Sequence, residues 1–338
     1  YGRLFKGCCK FFNKFCDGVF IFIRLCKLWI VDTFDDVNVF AVHRTAPINI
    51  VDNFSRCDDA TYIDTCLIVN ICCNHLINFF KINNAFIIMA IAFIDANGDF
   101  KGMDLVSLIN RYPTEILGEH VAKQYKGQMP LLVKFIDARD DLSIQVHPND
   151  EMAQRVHGKF GKSEMWYIID ADPEASLYVG FKQEIDENEY KQRIADGTIT
   201  DVLARHKVHA GDVFYLPAGR VHAICGGILL AEVQQSSDLT YRIYDYNRPG
   251  IDGKPRELHT DLAAKALNFH VEKDYRTHYS IQTECDCPVL STPYFNVHIV
   301  DTSSPFHRNL IGNDSFVITM CLKGDCKIHI HKTGDEIE

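Results

Sequence analysis

From Leu131 to Asp245 the chain is written in short apolar runs rich in β-branched and aromatic residues, each closed by Gly, Pro, Asn or Asp. Runs this short cannot carry the continuous stripe that buries one side of a long helix, and they read as strands joined by turns. Residues 131–136, 142–147, 165–169, 175–180, 228–234 and 240–245 fit that pattern. Between them, Gly211-Asp212 and Pro217-Ala-Gly219 bracket another strand with two tight turns. Helical spacing appears over 103–112, 113–125, 149–157, 186–194, 201–205 and 262–267, between strands rather than in place of them. In the tail, 295–300, 315–322 and 326–331 are expected to be strands. The fold class expected is mainly β, a sandwich or barrel with helical insertions.

Composition narrows the partners. The formal net charge is -10, with Lys and Arg scattered, so the clustered basic footprint of a nucleic-acid binder is missing. An anionic ligand would need a local basic pocket. Thirteen cysteines are present, eight of them before residue 74, and Cys225, Cys285, Cys287, Cys321 and Cys326 lack zinc-ribbon spacing. Reduced thiols in the cytoplasm are the expected state. Charged residues interrupt the apolar run at 19–23 and the run at 85–94 is too short, so no membrane span is expected. Residues 1–88, rich in Phe, Ile, Asn and Cys, show no sustained period and receive no assignment.

The chemistry concentrates in Leu142-Ser-Ile-Gln-Val-His-Pro148. Side chains alternate along a strand, so Gln145 and His147 share one face while Ile144 and Val146 take the other, and Pro148 stops the strand. Glu164 follows in Ser163-Glu-Met-Trp-Tyr167, and His222 after Pro217-Ala-Gly-Arg-Val. An amide oxygen, two imidazoles and a carboxylate suit a divalent ion with a position left open. Each residue also has a plainer reading. Gln145 and His147 would serve as a polar pair beside a turn, Glu164 as a surface carboxylate, His222 as the partner of a buried carbonyl. Arg242, in Thr240-Tyr-Arg-Ile-Tyr244, would form a structural ion pair with Asp245 or Asp238, and Lys162 would be a solvated loop lysine. Cys225 reads as a small buried hydrophobe, and Cys285 with Cys287 has too few partners for a metal.

The series Gly211-Asp212 to Pro217-x-Gly219-x-x-His222 resembles the second motif of the cupin superfamily, and Gln145-x-His147 with Glu164 resembles a variant of the first. Leu142-Ser-Ile-Gln-Val-His-Pro-Asn149, Lys162-Ser-Glu-Met-Trp166 and Ser237-Asp-Leu-Thr-Tyr-Arg-Ile-Tyr-Asp245 together resemble the type I mannose-6-phosphate isomerases of the short bacterial form. The resemblance covers about Ile91 to Glu338. It implies a cupin-type β-sandwich or jelly-roll barrel, with a metal-binding domain over 89–270 and a second β-domain beginning at 271. It implies one zinc per chain on Gln145, His147, Glu164 and His222, a catalytic Arg242, and substrate contacts from Lys162 and Asp238. The implied reaction interconverts mannose 6-phosphate and fructose 6-phosphate through an enediol. The partner would be a small sugar phosphate, with no nucleic acid and no membrane, and neither composition nor motifs fix an oligomeric state. The family's opening segment with a Trp-Gly-Gly run finds no match in residues 1–90, and its second β-domain runs past what is present, so a fragmentary chain is expected. Two other readings stay open: a catalytically silent sugar-phosphate-binding cupin or inactive fragment, and an iron-dependent cupin oxygenase, which the Gln ligand disfavours.

Overall fold

The computed structural model describes residues 106–249, 253–310 and 313–324 in full, and gives the elements within 67–105 and 328–337 by their backbone. Among these residues the fold is mainly antiparallel β with a few short helices. They fall into two compact units that separate at 129/130 and 311/312.

Strands do occur before residue 88, where the sequence offered no period. β1 (Leu67–Ile71) pairs antiparallel with β2 (His75–Ile82), β3 (Ala85–Ile91) follows, and β4 (Phe93–Ile94) pairs with β5 (Met103–Asp104). Residues 1–66 of the unassigned segment lie outside the described residues. After β5 come α1 (Leu105–Arg111), α2 (Pro113–Leu117) and α3 (Glu119–Gln124). The single helix expected over 113–125 is thus two, because Gly118 takes φ +86° at the junction. A side chain there would also meet the Asp314 backbone at 2.6 Å. The Asp314 carboxylate accepts the first N–H groups of α3, from Glu119 at 2.7 Å and His120 at 3.0 Å, doing the work of an N-cap from a distant segment. Phe316 packs on Ile109, Leu117 and Ala122 beside it. Residues 315–322, expected to be a strand, form no regular element, and of the strand expected over 326–331 only Ile328–Ile330 stands among the described residues.

The larger unit holds two facing sheets. One runs in the order β6 (Leu131–Ala138), β13 (Ile228–Gln235), β8 (Glu164–Ala171), β11 (Val213–Leu216). The other runs β10 (Leu203–Lys207), β9 (Ser176–Phe181), β12 (His222–Ile224), β7 (Ile144–Val146), β14 (Tyr241–Tyr244). Trp166, Ile168, Phe214 and Leu230 from the first sheet meet Leu177, Val179 and Ile224 from the second in one buried core. On its other face the second sheet turns Ile144, Val146, Ala223 and Ile243 against Tyr190 of α5 (Glu187–Ala195) and Ala263 and Ala264 of α6 (Thr260–Ala266), with α4 (Asp150–His157) contributing Met152. On the inner side His222 is buried, whereas Gln145 and Arg242 stay partly exposed. The expected helix over 201–205 is instead a 3-10 turn, Ile199–Val202, leading into β10. β10 is an edge strand whose polar residues stay partly exposed, which is why its sequence does not alternate as a half-buried strand does. A hairpin of β15 (Asp286–Ser291) and β16 (Asn296–Val300) completes the unit.

Candidate metal centre

His222 stands opposite Gln145 across the β12–β7 pair, and Arg242 stands opposite Gln145 across β7–β14. Directly opposed residues project to the same face, so these three form one row on the inner side of the second sheet. Glu164 projects from β8 of the facing sheet, and His147 follows β7 at the end of its strand. Ligand atoms of His147, Glu164 and His222 all lie within 4.8 Å of one another, and all three residues are buried. The Gln145 amide nitrogen lies 3.3 Å from His222 Nε2, and turning that amide about its terminal bond presents its oxygen instead.

The imidazoles are oriented by backbone carbonyls. His147 Nδ1 donates to Leu239 O at 2.8 Å, and His222 Nδ1 donates to Arg220 O at 2.8 Å. With the protons fixed there, both Nε2 lone pairs face Glu164, at 3.4 Å from Oε2 and 3.2 Å from Oε1. Burial drives the His147 pKa down to about 3, with Lys162 adding to the shift, and burial also lowers His222, so both rings are neutral at pH 7. Two lone pairs and a carboxylate turned toward one point call for a cation among them, and the Lys162 ammonium answers part of that need from one side. The Glu164 oxygens, moreover, are buried without an aligned hydrogen-bond donor. Imidazoles tied through Nδ1 to a carbonyl, with Nε2 left as the ligating atom, are the arrangement that metal-binding histidines take. The donor set therefore fits a divalent ion of the zinc class.

Lys162 Nζ sits 2.8 Å from Glu164 Oε2 and 3.1 Å from His147 Nε2. That 2.8 Å approach is a charge contact rather than an aligned hydrogen bond, which is how it coexists with the orphaned carboxylate. Burial opposes the charge on Lys162, yet Glu164 and Glu232 outweigh it and raise its pKa. Burial likewise opposes ionisation of Glu164, and the Lys162 ammonium reverses this, holding the carboxyl well below its usual range. Arg242 donates from Nη1 to Glu257 O at 2.9 Å and keeps a buried Nε with no partner. It forms no ion pair with Asp245, which is held by Arg248 and Arg256. Asp238 lies apart from the converging group, in an exposed ion pair with Lys159 at 2.9 Å.

A second polar row lies on the facing sheet. Lys134 of β6 and Trp166 of β8 flank Glu232 of β13 in register, Lys134 Nζ stands 3.2 Å from Glu232, and Trp166 Nε1 donates to Glu232 Oε2 at 2.8 Å. Lys134 also donates to Gln234 Oε1 at 2.6 Å. Trp166 meets the His222 ring edge-on at 5.2 Å, so this row backs the cluster of candidate ligands. The sequence signal was a lysine inside the apolar run 131–136 and a glutamate inside 228–234, charges that a buried strand tolerates only in pairs.

Residues 90–207 match the family model for the catalytic domain of phosphomannose isomerase type I. The chain is 43% identical over 179 residues to the "Probable mannose-6-phosphate isomerase GmuF" of Bacillus subtilis, spanning 52% of this chain and 55% of that protein. It is 35% identical over 237 residues to the "Putative mannose-6-phosphate isomerase YvyI" of the same organism, spanning 68% and 71%. A crystal structure of the mannose 6-phosphate isomerase from Bacillus subtilis superposes with a TM-score of 0.52 at 33% identity, covering 63% of this chain and 65% of that one. The chain thus spans a little over half the length of the first of these relatives. No helix among the described residues is long and apolar enough to cross a membrane.

Proposed function

The chain belongs to the type I mannose-6-phosphate isomerase family, and from that membership and the buried donor cluster we propose that it is a metal-dependent aldose-ketose isomerase acting on mannose 6-phosphate. The observation that carries the reading is the pair of neutral imidazoles, each with Nδ1 tied to a carbonyl and Nε2 aimed at Glu164. Gln145, His147, Glu164 and His222 would hold one zinc ion per chain. A bound zinc supplies Lewis acidity toward substrate oxygens without any redox change.

The chain's own residues supply the rest. Interconversion moves a proton between C2 and C1 through an enediol, so negative charge grows on the sugar oxygens. Lys162 Nζ, buried against Glu164, is a fixed cation beside that charge. Arg242 shares the row of Gln145 and His222 and keeps an unpartnered Nε for an oxyanion or phosphate oxygen. His147, Lys162, Glu164 and His222 are buried, which strengthens the charges they present to substrate. Asp238, at the surface with Lys159, would reach substrate only by exchanging that partner. The cytoplasm, where sugar phosphates are made and used, is the compartment we assign.

The test is a coupled assay of the purified chain with mannose 6-phosphate, before and after chelation. Turnover abolished by chelator and restored by zinc is the expected result. Turnover that chelator leaves intact removes the metal from the mechanism, and substrate binding without turnover in zinc-filled protein selects the silent-binder reading.

A further inference from the structure

Lys162 and Glu164 enter the site at the end of a loop, 158–163, which Ser237 Oγ ties at Phe160 O and Ala218 N–H at Ser163 Oγ, and which one carboxylate ties to three elements. Asp150, the first residue of α4, accepts on Oδ1 from the Gly161 backbone N–H at 2.8 Å and from the Gln235 side-chain amide at 3.1 Å. Its Oδ2 accepts from the Tyr294 hydroxyl at 2.9 Å. Gln235 passes the hold onward, because its Oε1 accepts the Ser163 N–H at 2.8 Å and its own N–H donates to Ser163 O at 3.0 Å. Between those anchors the Lys162 N–H donates to Pro148 O at 3.1 Å. Gly161 runs so close to the start of α4 that a Cβ on it would stand 2.5 Å from Asn149 C and Asp150 N.

We propose that Asp150 is a positioning residue for Lys162, and that Tyr294, in the turn between β15 and β16, completes the clamp. The reason lies in how differently the two delivered side chains are held. Glu164 is paired on both sides within its sheet, opposite Gln234 and Leu216, and needs no help from the loop. Lys162 precedes the strand, and its ammonium, at the end of four rotatable bonds, goes where residues 161–163 carry it. Asp150 gathers three donors from the loop, β13 and the hairpin onto one carboxylate, and so fixes that course. The claim about where Lys162 lies stands on this geometry alone, whereas its consequence for turnover rests on the isomerase reading.

Amine labelling of the zinc-loaded full chain, read peptide by peptide in a mass spectrometer, tests the placement without any turnover. Local opening of the loop in Asp150→Ala is expected to raise the labelling rate of Lys162 about tenfold, with Lys134 unchanged and Asp150→Asn within about twofold of the parent. A rise at Lys134 equal to that at Lys162, or no rise at Lys162, overturns the clamp. In the isomerase assay Asp150→Ala is expected to lower kcat about tenfold in the parent background and no further in a Lys162→Ala background. Losses that multiply across the two substitutions overturn it as well. If Asp150→Ala fails to fold, Tyr294→Phe, which removes one of the three bonds, is read in the same way: about a threefold rise at Lys162 supports the clamp and no rise overturns it. A parent chain that shields Lys162 but never turns over mannose 6-phosphate sinks the isomerase reading alone, and its labelling series still decides the clamp.

Discussion

Trp166 and Glu232, on adjacent strands of one sheet, are joined by a fully buried hydrogen bond of 2.8 Å, and the same carboxylate faces Lys134 at 3.2 Å. The indole N–H and the ammonium thus share one anion, and removing it strands the indole N–H and leaves the ammonium only the neutral Gln234 Oε1. Burial lowers the Lys134 pKa despite the neighbouring carboxylate, so desolvation is already being resisted there. Glu232→Ala is expected to destabilise the chain by about 3–5 kcal/mol, as breaking a buried pair from one side does. The double change Lys134→Met with Glu232→Gln is expected to recover most of that loss. Denaturant unfolding of the parent and the two variants checks both statements, and a double variant as weak as the single one refutes the charge argument.

His222 and Arg242 stand on either side of Gln145 but differ in what they offer. His222→Ala removes a ligand and is expected to lose bound zinc and turnover together. Arg242→Ala leaves the donor set complete and is expected to keep its zinc while kcat falls by a factor of about 100 or more, the scale of losing a charge stabiliser. Metal analysis beside the assay separates them. Equal zinc loss in both variants reduces Arg242 to a structural part.

Asp137 gives the stability a pH dependence unrelated to the site. Burial, with Asp172 as a second cause, pushes its carboxyl up to about 6. The folded state therefore holds this proton at pH values where the unfolded chain has released it. Stability from this group is present below about 4 and falls as pH rises to about 6, with a total on the order of 3 kcal/mol. Asp137→Asn is expected to raise Tm at pH 7 and leave it unchanged near pH 4. A gain of the same size at both pH values contradicts the assignment.

Gly180 takes φ +75° in β9, and a Cβ there would stand 2.2 Å from the Tyr275 ring. Tyr275 has no easy retreat, since its hydroxyl donates to Phe181 O at 2.8 Å and accepts the Glu272 N–H at 3.1 Å. Gly180→Ala is expected to cost at least about 2 kcal/mol, combining left-handed strain with overpacking. The companion change Tyr275→Ala is expected to relieve only the second part. Thermal unfolding of the single and double variants distinguishes strain from crowding.

The alternation rule was enough to give Gln145 an inner face and Ile144 and Val146 an outer one, because a half-buried strand writes its two faces in period 2. The strands around the site were legible for the same reason. Other features depended on partners that the sequence cannot name. Nothing near Asp238 indicates Lys159, which lies 79 residues earlier. The Lys134, Glu232 and Trp166 row needs the register of three strands whose order in the sheet is not their order in the chain. The break at Gly118 depends on Asp314, and the polar strand Leu203–Lys207 on its edge position. The role of Asp150 was hidden because its acceptors serve residues 11, 85 and 144 positions away.

The single row formed by His222, Gln145 and Arg242 ties the centre's assembly to the ladder that carries it. Sliding the short strand β7 by one position would swing Gln145 toward the helices and bring Ile144 or Val146 inward, since a shift of one exchanges the faces. A chain trapped in that misregistered state would have lost an ion ligand and hidden a polar amide in oil. An ion held as proposed would therefore favour the correctly threaded sheet over that slipped state.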